Sequence, residues 1–227
     1  MNKAQLLKAI QWFFPAFLNT STSYSQDGED MVLKAFYEGK KKYKGYYVDI
    51  GAHHPYRFSN TAYFYKKGWQ GINIEPTPSL IGFFNRYRKR DINLNIGISD
   101  TNSVITFYEF NEPALNSFDK ERSLSRQNDK HKIIAEKKIE VFSLKDVLDK
   151  HLPAGRKIDF FTIDVEGLDL NVLKSNDWNK YAPEYILVED EFDVEQIAQN
   201  EVYAFLKNKS YKLVARTKRT LLFKHGA

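Results

Sequence analysis

The sequence contains no cysteine among its 227 residues, which excludes a disulfide framework and any zinc site built on thiolates. We therefore expect the protein to act in a reducing cytoplasm. Internal repeats and low-complexity linkers are also missing, and the length suits one large domain. With 42% hydrophobic and 15% aromatic residues, the composition is that of a globular protein and argues against disorder.

Long hydrophobic runs are absent as well. Residues 4–18 are apolar and aromatic, but they are too few to span a bilayer and are interrupted by Gln11 and Pro15. They include no small-residue cleavage site, so we expect neither a secretory signal nor stable membrane insertion. We predict that residues 1–23 form a helical extension that packs on the domain or on a partner chain, with an interfacial membrane helix as the alternative.

The formal net charge of +5 comes from basic residues that are scattered along the chain. Residues 86–90 form one short cluster, which we expect at the surface. No RNA-binding or helix-turn-helix signature accompanies these charges, so we expect no nucleic-acid partner. The sequence is compatible with a homo-oligomer but does not specify one.

Apolar segments of strand length alternate with helical patterns through the first half of the chain, which is typical of a parallel sheet with helical crossovers. We predict one domain over residues 24–227, with an insert at about 104–142 that forms a hairpin and a mobile loop at the mouth of the site. Strands are predicted at residues 45–50, 71–75, 92–98, 158–164 and 185–188, with a closing hairpin at 211–223.

Acidic residues stand at the carboxyl ends of four of these predicted strands. They are Asp49, Glu75, Asp164 and the pair Glu189-Asp190. Because the carboxyl ends of parallel strands lie on one edge of a sheet, topology alone brings these carboxylates to one crevice. The sequence therefore predicts a binding site at that edge.

The first predicted strand ends in the turn Gly51-Ala52-His53-His54-Pro55. This turn has one glycine instead of the three of a G-x-G-x-x-G loop, which disfavours a dinucleotide pyrophosphate. Glu75 follows Asp49 by 26 residues, where an acid accepts hydrogen bonds from the ribose hydroxyls of a nucleoside. S-adenosylmethionine contains a ribose and no phosphate, so a single tight turn suffices for it.

Seven short segments share their order and spacing with one known family. They are residues 25–30 (SQDGED), 48–52 (VDIGA), 59–61 (SNT), 68–71 (GWQG), 74–76 (IEP), 95–100 (NIGISD) and 163–167 (IDVEG). Over residues 24–192, the sequence resembles the FkbM-type S-adenosylmethionine-dependent O-methyltransferases. The resemblance implies a class I methyltransferase fold, a Rossmann-like three-layer α/β sandwich around a mostly parallel seven-stranded sheet.

The resemblance also implies which residues bind S-adenosylmethionine. It places Asp49, Gly51 and Ala52 along the methionine moiety and Glu75, followed by Pro76, at the ribose. The residues implied beside the adenine are Ile98, Ser99 and Asp100, and those implied to close over the cofactor are Tyr24, Ser25, Gln26 and Asn60.

A methyltransferase acting on a hydroxyl needs a group that takes the acceptor proton, or a metal ion that lowers the pKa of the hydroxyl. Asp164, with Glu189 and Asp190 25 and 26 residues further on, offers three carboxylates from neighbouring strand ends. This set suits Mg²⁺ or Mn²⁺, and it resembles the arrangement in metal-dependent sugar O-methyltransferases of macrolide pathways. We expect Glu166 to cap the following helix, with a role as ligand as the alternative.

His53 and His54 are candidate bases because a neutral imidazole accepts a proton near pH 7, and Asp164 competes with them. We therefore expect an enzyme that methylates a hydroxyl of a sugar, either nucleotide-linked or in a surface-glycan precursor of polysaccharide biosynthesis. N- or O-methylation of a natural-product scaffold and a non-catalytic nucleic-acid-binding module are the alternatives. The basic residues of the insert, among them Arg122 and Arg126, either meet a phosphorylated acceptor or belong to a solvated loop.

Overall fold

The computed structural model describes residues 2–40, 42–190 and 192–226. Two helices, α1 (Lys3–Phe13) and α2 (Pro15–Asn19), stand where one helix over residues 4–18 was expected. Pro15 begins the second helix because its ring removes a backbone donor and breaks the first. None of the residues of α1 is buried.

Within residues 2–40, 42–190 and 192–226, the domain contains ten strands in two sheets. They are β1 (Tyr46–Ile50), β2 (Gln70–Ile74), β3 (Ile92–Leu94), β4 (Gly97–Ile98), β5 (Ser103–Phe110), β6 (Ile133–Phe142), β7 (Phe160–Ile163), β8 (Tyr185–Glu189), β9 (Tyr211–Arg216) and β10 (Thr220–His225). The main sheet has the order β3-β2-β1-β7-β8-β10-β9 and is parallel except at β10, which runs antiparallel to both its neighbours. This is the sheet of the class I methyltransferase fold, so the predicted fold class is confirmed.

β1 lies in the interior of the main sheet between β2 and β7, and all five of its residues are buried. Its side chains alternate between the two faces because strand side chains have a period of two. Tyr47 packs with Phe160 in one hydrophobic core, whereas Val48 packs with Phe161 in the other. The sheet therefore has a core on each face, as a three-layer sandwich requires.

Helices cover both faces of this sheet. They are α3 (Glu29–Phe36), α4 (Ala62–Lys66), α5 (Pro78–Tyr87), α7 (Leu144–His151), α8 (Asp169–Lys174) and α9 (Glu201–Asn208), and α6 (Lys120–Arg126) belongs to the insert. Ser143 and Asn200 cap α7 and α9 through their side-chain oxygens. Among the helices of residues 2–40, 42–190 and 192–226, none has both the length and the apolar character that a bilayer span requires.

The register of the parallel strands aligns their carboxyl ends. Ile50 of β1 pairs with Ile74 of β2 on one side and with Ile163 of β7 on the other. The next residues stay tied together, since the N–H of Gly51 donates to the carbonyl of Ile74 and the N–H of Asp164 donates to that of Ile50, both at 3.0 Å. The acidic residues at the carboxyl ends of these strands are therefore aligned along one edge of the sheet.

The insert differs in detail from the expected hairpin. β5 and β6 do form a long antiparallel pair, but β4 joins them in a separate three-stranded sheet. The single strand expected over residues 92–98 is thus split, because Asn95 turns away and donates its side-chain amide to the carbonyls of Glu75 and Pro76. Residues 111–132 lie between β5 and β6 and include a 3₁₀ turn (Pro113–Leu115) and α6.

Candidate functional site

A cavity of about 260 Å³ opens at the edge of the sheet where β1, β2, β7 and β8 end. Four of the acids predicted from the strand ends line it, namely Asp49, Glu75, Asp164 and Glu189. The insert contributes a wall that includes Asn116 and Phe118, and the turn between β9 and β10 adds Arg219. The structure thus brings together carboxylates that lie up to 140 residues apart in the sequence, from Asp49 to Glu189.

Gly51 forms the sharp turn at the end of β1. Its φ of +77° lies in the left-handed region, and a Cβ placed on it would lie 1.8 Å from the carbonyl oxygen of Asp164. Any other residue would be strained and would clash with backbone that cannot move without separating β1 from β7. The turn therefore exposes bare backbone to the cavity, as a close-lying ligand requires.

The Asp49 carboxylate is buried at the wall of the cavity and accepts a 2.7 Å hydrogen bond from the hydroxyl of Thr61. Burial raises the pKa of Asp49 to about 6, and the Thr61 bond and the nearby Arg88 guanidinium oppose that rise. Thr61 precedes α4, so the loop between β1 and α4 fixes the orientation of this acid.

Arg88 supports the same loop from within the protein, at the C-terminal end of α5. Its side chain is fully buried, and its guanidinium donates to the carbonyl of Pro55 at 2.8 and 3.2 Å. It also donates to the hydroxyls of Ser59, Thr61 and Tyr47, at 3.1 to 3.3 Å. The expectation of a surface cluster at residues 86–90 is wrong for Arg88, because the loop supplies buried acceptors that the local sequence does not reveal.

Glu75 follows β2 and is buried, with both carboxylate oxygens held by backbone donors. One oxygen accepts the N–H of His53 at 2.8 Å and the other accepts the N–H of Thr77 at 2.7 Å. Burial raises the pKa of Glu75 to about 7, although these hydrogen bonds act in the opposite direction. A carboxylate has about four acceptor sites, so two remain for the vicinal hydroxyls of a ribose.

The other residues implied for the cofactor separate into two groups. Those that line the cavity are Gln26, Ala52, Asn60, Pro76 and Ile98, and Asn60 is held there by a 2.8 Å bond from its amide to Thr162. Tyr24, Ser25, Ser99 and Asp100 do not line it. The backbone N–H of Tyr24 and the hydroxyl of Ser25 donate to the buried Asp30, which orders the segment before α3, and Asp100 accepts the amide of Asn171.

The two histidines have different positions. The ring of His54 lies outside the cavity lining, and its Nδ1 accepts the backbone N–H groups of Tyr56 and Arg57, so it shapes the turn. His53 lines the cavity with a φ of +52°, and burial together with Arg57 lowers its pKa to about 4. Arg57 also lies 3.3 Å from Nε2 of His53 and occupies the lone pair that a base would use.

Three carboxylates at the ends of β7 and β8 form a compact group. Asp164, Glu166 and Glu189 each place an oxygen within 4.8 Å of the others. The surrounding protein and the charges of Glu189 and Glu166 raise the pKa of Asp164 well above its usual value, while its side chain stays open to the cavity. Glu166 has a φ of +57°, and this left-handed backbone aims it toward the group.

Asp190, predicted as a metal ligand, is not part of that group. It is buried and accepts the N–H of Phe192 and the side-chain amide of Asn200 at 2.5 and 2.6 Å. Successive residues at the end of a strand point to opposite faces, so Glu189 faces the cavity and Asp190 does not. Glu166 also lacks the expected capping role, because no side-chain hydrogen bond caps α8, and its carboxylate pairs with Arg122 and Arg126 instead.

Arginines of α6 join the insert to this acidic group. Arg126, which lines the cavity, forms an ion pair with Glu166 at 2.5 Å, and Arg122 lies 3.1 Å from Glu166 and 3.8 Å from Glu189. The insert is therefore held to the end of β7 by charge, and these two residues are not part of a solvated loop.

Sequence reasoning missed several residues of the cavity. The aromatic side chains Phe58, Phe107 and Phe118 line it, and the last two rings lie 4.7 Å apart. Arg219 also lines it and pairs with Asp27 at 3.0 Å. No local pattern marks these positions, because they reach the site only through the folding of the insert and of the closing hairpin.

The chain matches the family model described as the methyltransferase FkbM domain over residues 49–213. This match covers most of the domain, from the end of β1 to β9. No curated protein sequence matches the chain at a significant level.

Solved structures with similar folds are methyltransferases with low sequence identity. One from Geobacter sulfurreducens is 11% identical, with 100% of this chain and 91% of that chain covered and a TM-score of 0.45. The precorrin-6y C5,15-methyltransferase of Geobacter metallireducens is 11% identical, with 86% and 88% covered and a TM-score of 0.42. The 1,6-didemethyltoxoflavin-N1-methyltransferase of Burkholderia thailandensis, solved with S-adenosylhomocysteine, is 9% identical, with 100% and 92% covered and a TM-score of 0.41.

Proposed function

The chain belongs to the FkbM methyltransferase family of S-adenosylmethionine-dependent enzymes, and from this premise we propose that it methylates a hydroxyl of a sugar. The acceptor in this proposal is nucleotide-linked or a precursor of a surface glycan. The observation that carries the proposal is the position of Asp164, a carboxyl group of raised pKa in the same cavity as Gly51 and Glu75.

The residues of the cavity fit S-adenosylmethionine. Gly51 leaves bare backbone where a Cβ would fill the space, and Asp49 lies beside it for the charged amino group of the methionine moiety. Glu75 retains acceptor sites for the ribose hydroxyls. Ile98 and Phe118 offer apolar surface to a purine, with Gly97 packed against the Phe118 ring. When bound, the cofactor supplies the electrophilic methyl group.

Asp164 is the proposed base. Methylation of a hydroxyl releases its proton, and a carboxylate whose pKa is raised toward neutral is a better acceptor than an ordinary one. The surrounding protein and the nearby charges of Glu189 and Glu166 raise the pKa of Asp164 in this way. His54 lies outside the cavity and His53 accepts from Arg57 through Nε2, so neither histidine has a free lone pair aimed at an acceptor.

The wall opposite the cofactor residues has the chemistry that a sugar requires. The carboxylates of Glu166 and Glu189 accept hydrogen bonds from hydroxyl groups, and Asn116 both donates and accepts. The ring of Phe58, which is 39% exposed, offers apolar surface to the C–H face of a sugar ring. Arg126 and Arg219 provide positive charge for a phosphorylated acceptor such as a nucleotide sugar.

A divalent cation is a second element of the proposal. Mg²⁺ or Mn²⁺ would be held by Asp164 and Glu189, with Glu166 in place of Asp190, because three oxygen ligands lie within 4.8 Å. Such an ion lowers the pKa of a bound hydroxyl. Since Arg122 and Arg126 already neutralise Glu166, binding of the ion requires these guanidinium groups to move.

The first experiment is calorimetric titration of the protein with S-adenosylmethionine and S-adenosylhomocysteine. Saturable binding of both is expected, and Glu75→Gln should weaken it because an amide accepts less well than a carboxylate. Absence of binding to the wild-type chain would contradict the proposal at its root. A panel of nucleotide sugars, with mass spectrometry of the products, then identifies the acceptor.

The base is tested with Asp164→Asn and the acceptor found in that panel. We expect kcat to fall about 10²- to 10⁴-fold while the affinity for S-adenosylmethionine stays within a few-fold of wild type. Glu136→Gln is the matched control, since Glu136 is exposed on β6 away from the cavity. Unchanged kcat in Asp164→Asn would remove this residue from the mechanism. Full activity after EDTA treatment would exclude the cation and leave the base unaffected.

A further inference from the structure

The two N-terminal helices present a large aromatic surface to solvent. Trp12, Phe13 and Phe14 are 82%, 72% and 67% exposed, and Leu6 and Leu7 are each nearly half exposed. Solvent-exposed clusters of this kind mark an interaction site, because isolated exposed apolar residues are common but contiguous ones are not. This surface is called the aromatic tip below, and it consists of Leu6, Leu7, Trp12, Phe13 and Phe14.

Nothing in the described domain covers the aromatic tip. α1 has no buried residue, and Asn2 caps it with a capping box that stabilises it without tertiary contacts. The segment joins the domain at Tyr24, whose N–H is held by Asp30. The helices therefore project a formed, apolar structure from a fixed attachment point.

The side chains of the N-terminal segment carry charge of only one sign. The first acidic residue of the chain is Asp27, so residues 1–26 carry only the cations Lys3 and Lys8. At the attachment point, Lys66 donates to the hydroxyl of Tyr24 at 2.6 Å, and it is exposed together with Lys67.

A further lysine and two acids complete this region. Lys34 and Lys67 lie 5.9 and 5.5 Å from the centre of the Tyr63 ring. Of the acids that act on Tyr63, Asp30 is buried and bonded to Ser23 and Ser25, which leaves Glu38 as the exposed one. The domain surface around Tyr24 and Tyr63 is thus predominantly basic.

We propose that the aromatic tip inserts into the interface of an anionic lipid surface, with Lys34, Lys66 and Lys67 of the domain facing the lipid headgroups. Trp and Phe partition to the membrane interface, and helices with such residues and lysines lie in the plane of the surface. A second copy of the chain is a poor occupant, because residues 1–26 would meet the same residues and supply no acid to neutralise the lysines. The tip binds peripherally and does not cross the bilayer.

The proposal is independent of the methylated acceptor, and flotation with lipid vesicles tests it. The full chain is mixed with vesicles of phosphatidylcholine alone or of equal parts phosphatidylcholine and phosphatidylglycerol. We expect binding to the anionic vesicles, weakened by added salt, and at least tenfold weaker binding to the neutral ones. The triple variant Trp12→Ala/Phe13→Ala/Phe14→Ala should lose binding to both.

Matched variants separate the contribution of the aromatic tip to vesicle binding from that of the lysines. Phe83→Ala/Ile134→Ala removes two exposed apolar side chains elsewhere and should bind as wild type does. Lys66→Glu/Lys67→Glu should weaken binding to anionic vesicles by at least fivefold for each lysine lost. Circular dichroism and S-adenosylmethionine titration of every variant show that the domain is folded.

Three outcomes would overturn the proposal. They are no binding of the wild-type chain to anionic vesicles, equal binding to both vesicle types, and unchanged binding of the triple variant. Self-association of the wild-type chain that the triple variant abolishes, without vesicle binding, would identify the tip as an interface between copies instead.

Discussion

Replacing Arg88 by methionine tests whether its fully buried guanidinium stabilises the loop between β1 and α4. The variant keeps most of the volume and removes every donor, so the carbonyl of Pro55 loses both its hydrogen bonds from this side chain. Asp91, whose carboxylate lies 3.8 Å from Arg88, loses its buried counter-charge.

The expected loss of stability in Arg88→Met depends on the hydrogen bonds that Asp91 keeps. Breaking a buried ion pair by removal of one partner costs about 3–5 kcal/mol. Asp91 keeps three donors, the hydroxyl of Tyr47, the N–H of Gly71 and the amide of Asn73. These bonds stabilise the remaining charge, so we expect a loss near the lower limit, about 3 kcal/mol. That is a large part of the roughly 5–15 kcal/mol by which domains are stable.

Urea unfolding followed by circular dichroism measures this loss. A change of about 3 kcal/mol lowers the midpoint by about 1 M or more, since the slope for proteins of this size is about 1–3 kcal/mol per molar urea. Arg86→Met is the matched control, because Arg86 is exposed on the same helix, and it should change stability by less than about 0.5 kcal/mol.

Cofactor affinity gives an independent measurement in the same variants. Arg88 bonds Thr61, and Thr61 bonds Asp49, so Arg88→Met should weaken S-adenosylmethionine binding in the fraction that stays folded. The reasoning is refuted if Arg88→Met unfolds within about 1 kcal/mol of wild type, or if it matches Arg86→Met in both measurements.

Three further predictions concern the cavity. Gly51→Ala should abolish the binding of S-adenosylmethionine, measured by calorimetry. Gly82→Ala is the control and should keep this binding, because no atom lies within 4 Å of its new Cβ. If both variants bind the cofactor, the predicted clash of a Cβ at residue 51 with Asp164 is wrong. Because burial raises the pKa of Glu75 from 4.5 to about 7, the stability linked to its protonated form is present below pH 4.5 and lost as the pH rises through 7. As the pH rises from 4.5 to above 7, the free energy of unfolding of Glu75→Gln should therefore increase by about 3 kcal/mol relative to that of wild type, as measured by urea unfolding without cofactor. A difference between the two proteins that does not change with pH would contradict this prediction. His53→Gly, which keeps the left-handed backbone and the donor to Glu75, should keep kcat within about threefold, and a loss above 100-fold would identify its ring as the base.

The strand ends could be predicted because their signals are local. Apolar runs of four to six residues followed by Asp49, Glu75 or Asp164 indicate buried parallel strands, and parallel topology then places the acids on one edge. The single glycine at Gly51 also gave the correct kind of turn, since its φ is positive.

The sequence predictions failed at residues whose hydrogen-bond or ion-pair partners come from elsewhere in the chain. Arg88 is buried by acceptors from residues 55–61 and 91, so its own helix pattern predicts nothing about it. The choice between Asp190 and Glu166 depends on strand alternation and on one left-handed residue, neither of which the composition of the segment shows. Asn95 ends β3 through bonds to the carbonyls of Glu75 and Pro76, a tertiary contact that propensities do not include.

Glu75 and Asp164 stand just past the last paired residues of the β1–β2 and β1–β7 ladders, whereas Asp49 stands one position before the end of β1. Ile50, Ile74 and Ile163 close those ladders, and the turns that carry Gly51, Glu75 and Asp164 begin with the next position. Apart from Asp49, the paired strand residues and the polar residues of these three turns therefore occupy adjacent but separate stretches of sequence. Substitutions beyond the ladder can change what the site recognises while the two cores stay intact, which makes this edge the place where one sheet can acquire new substrates without being rebuilt.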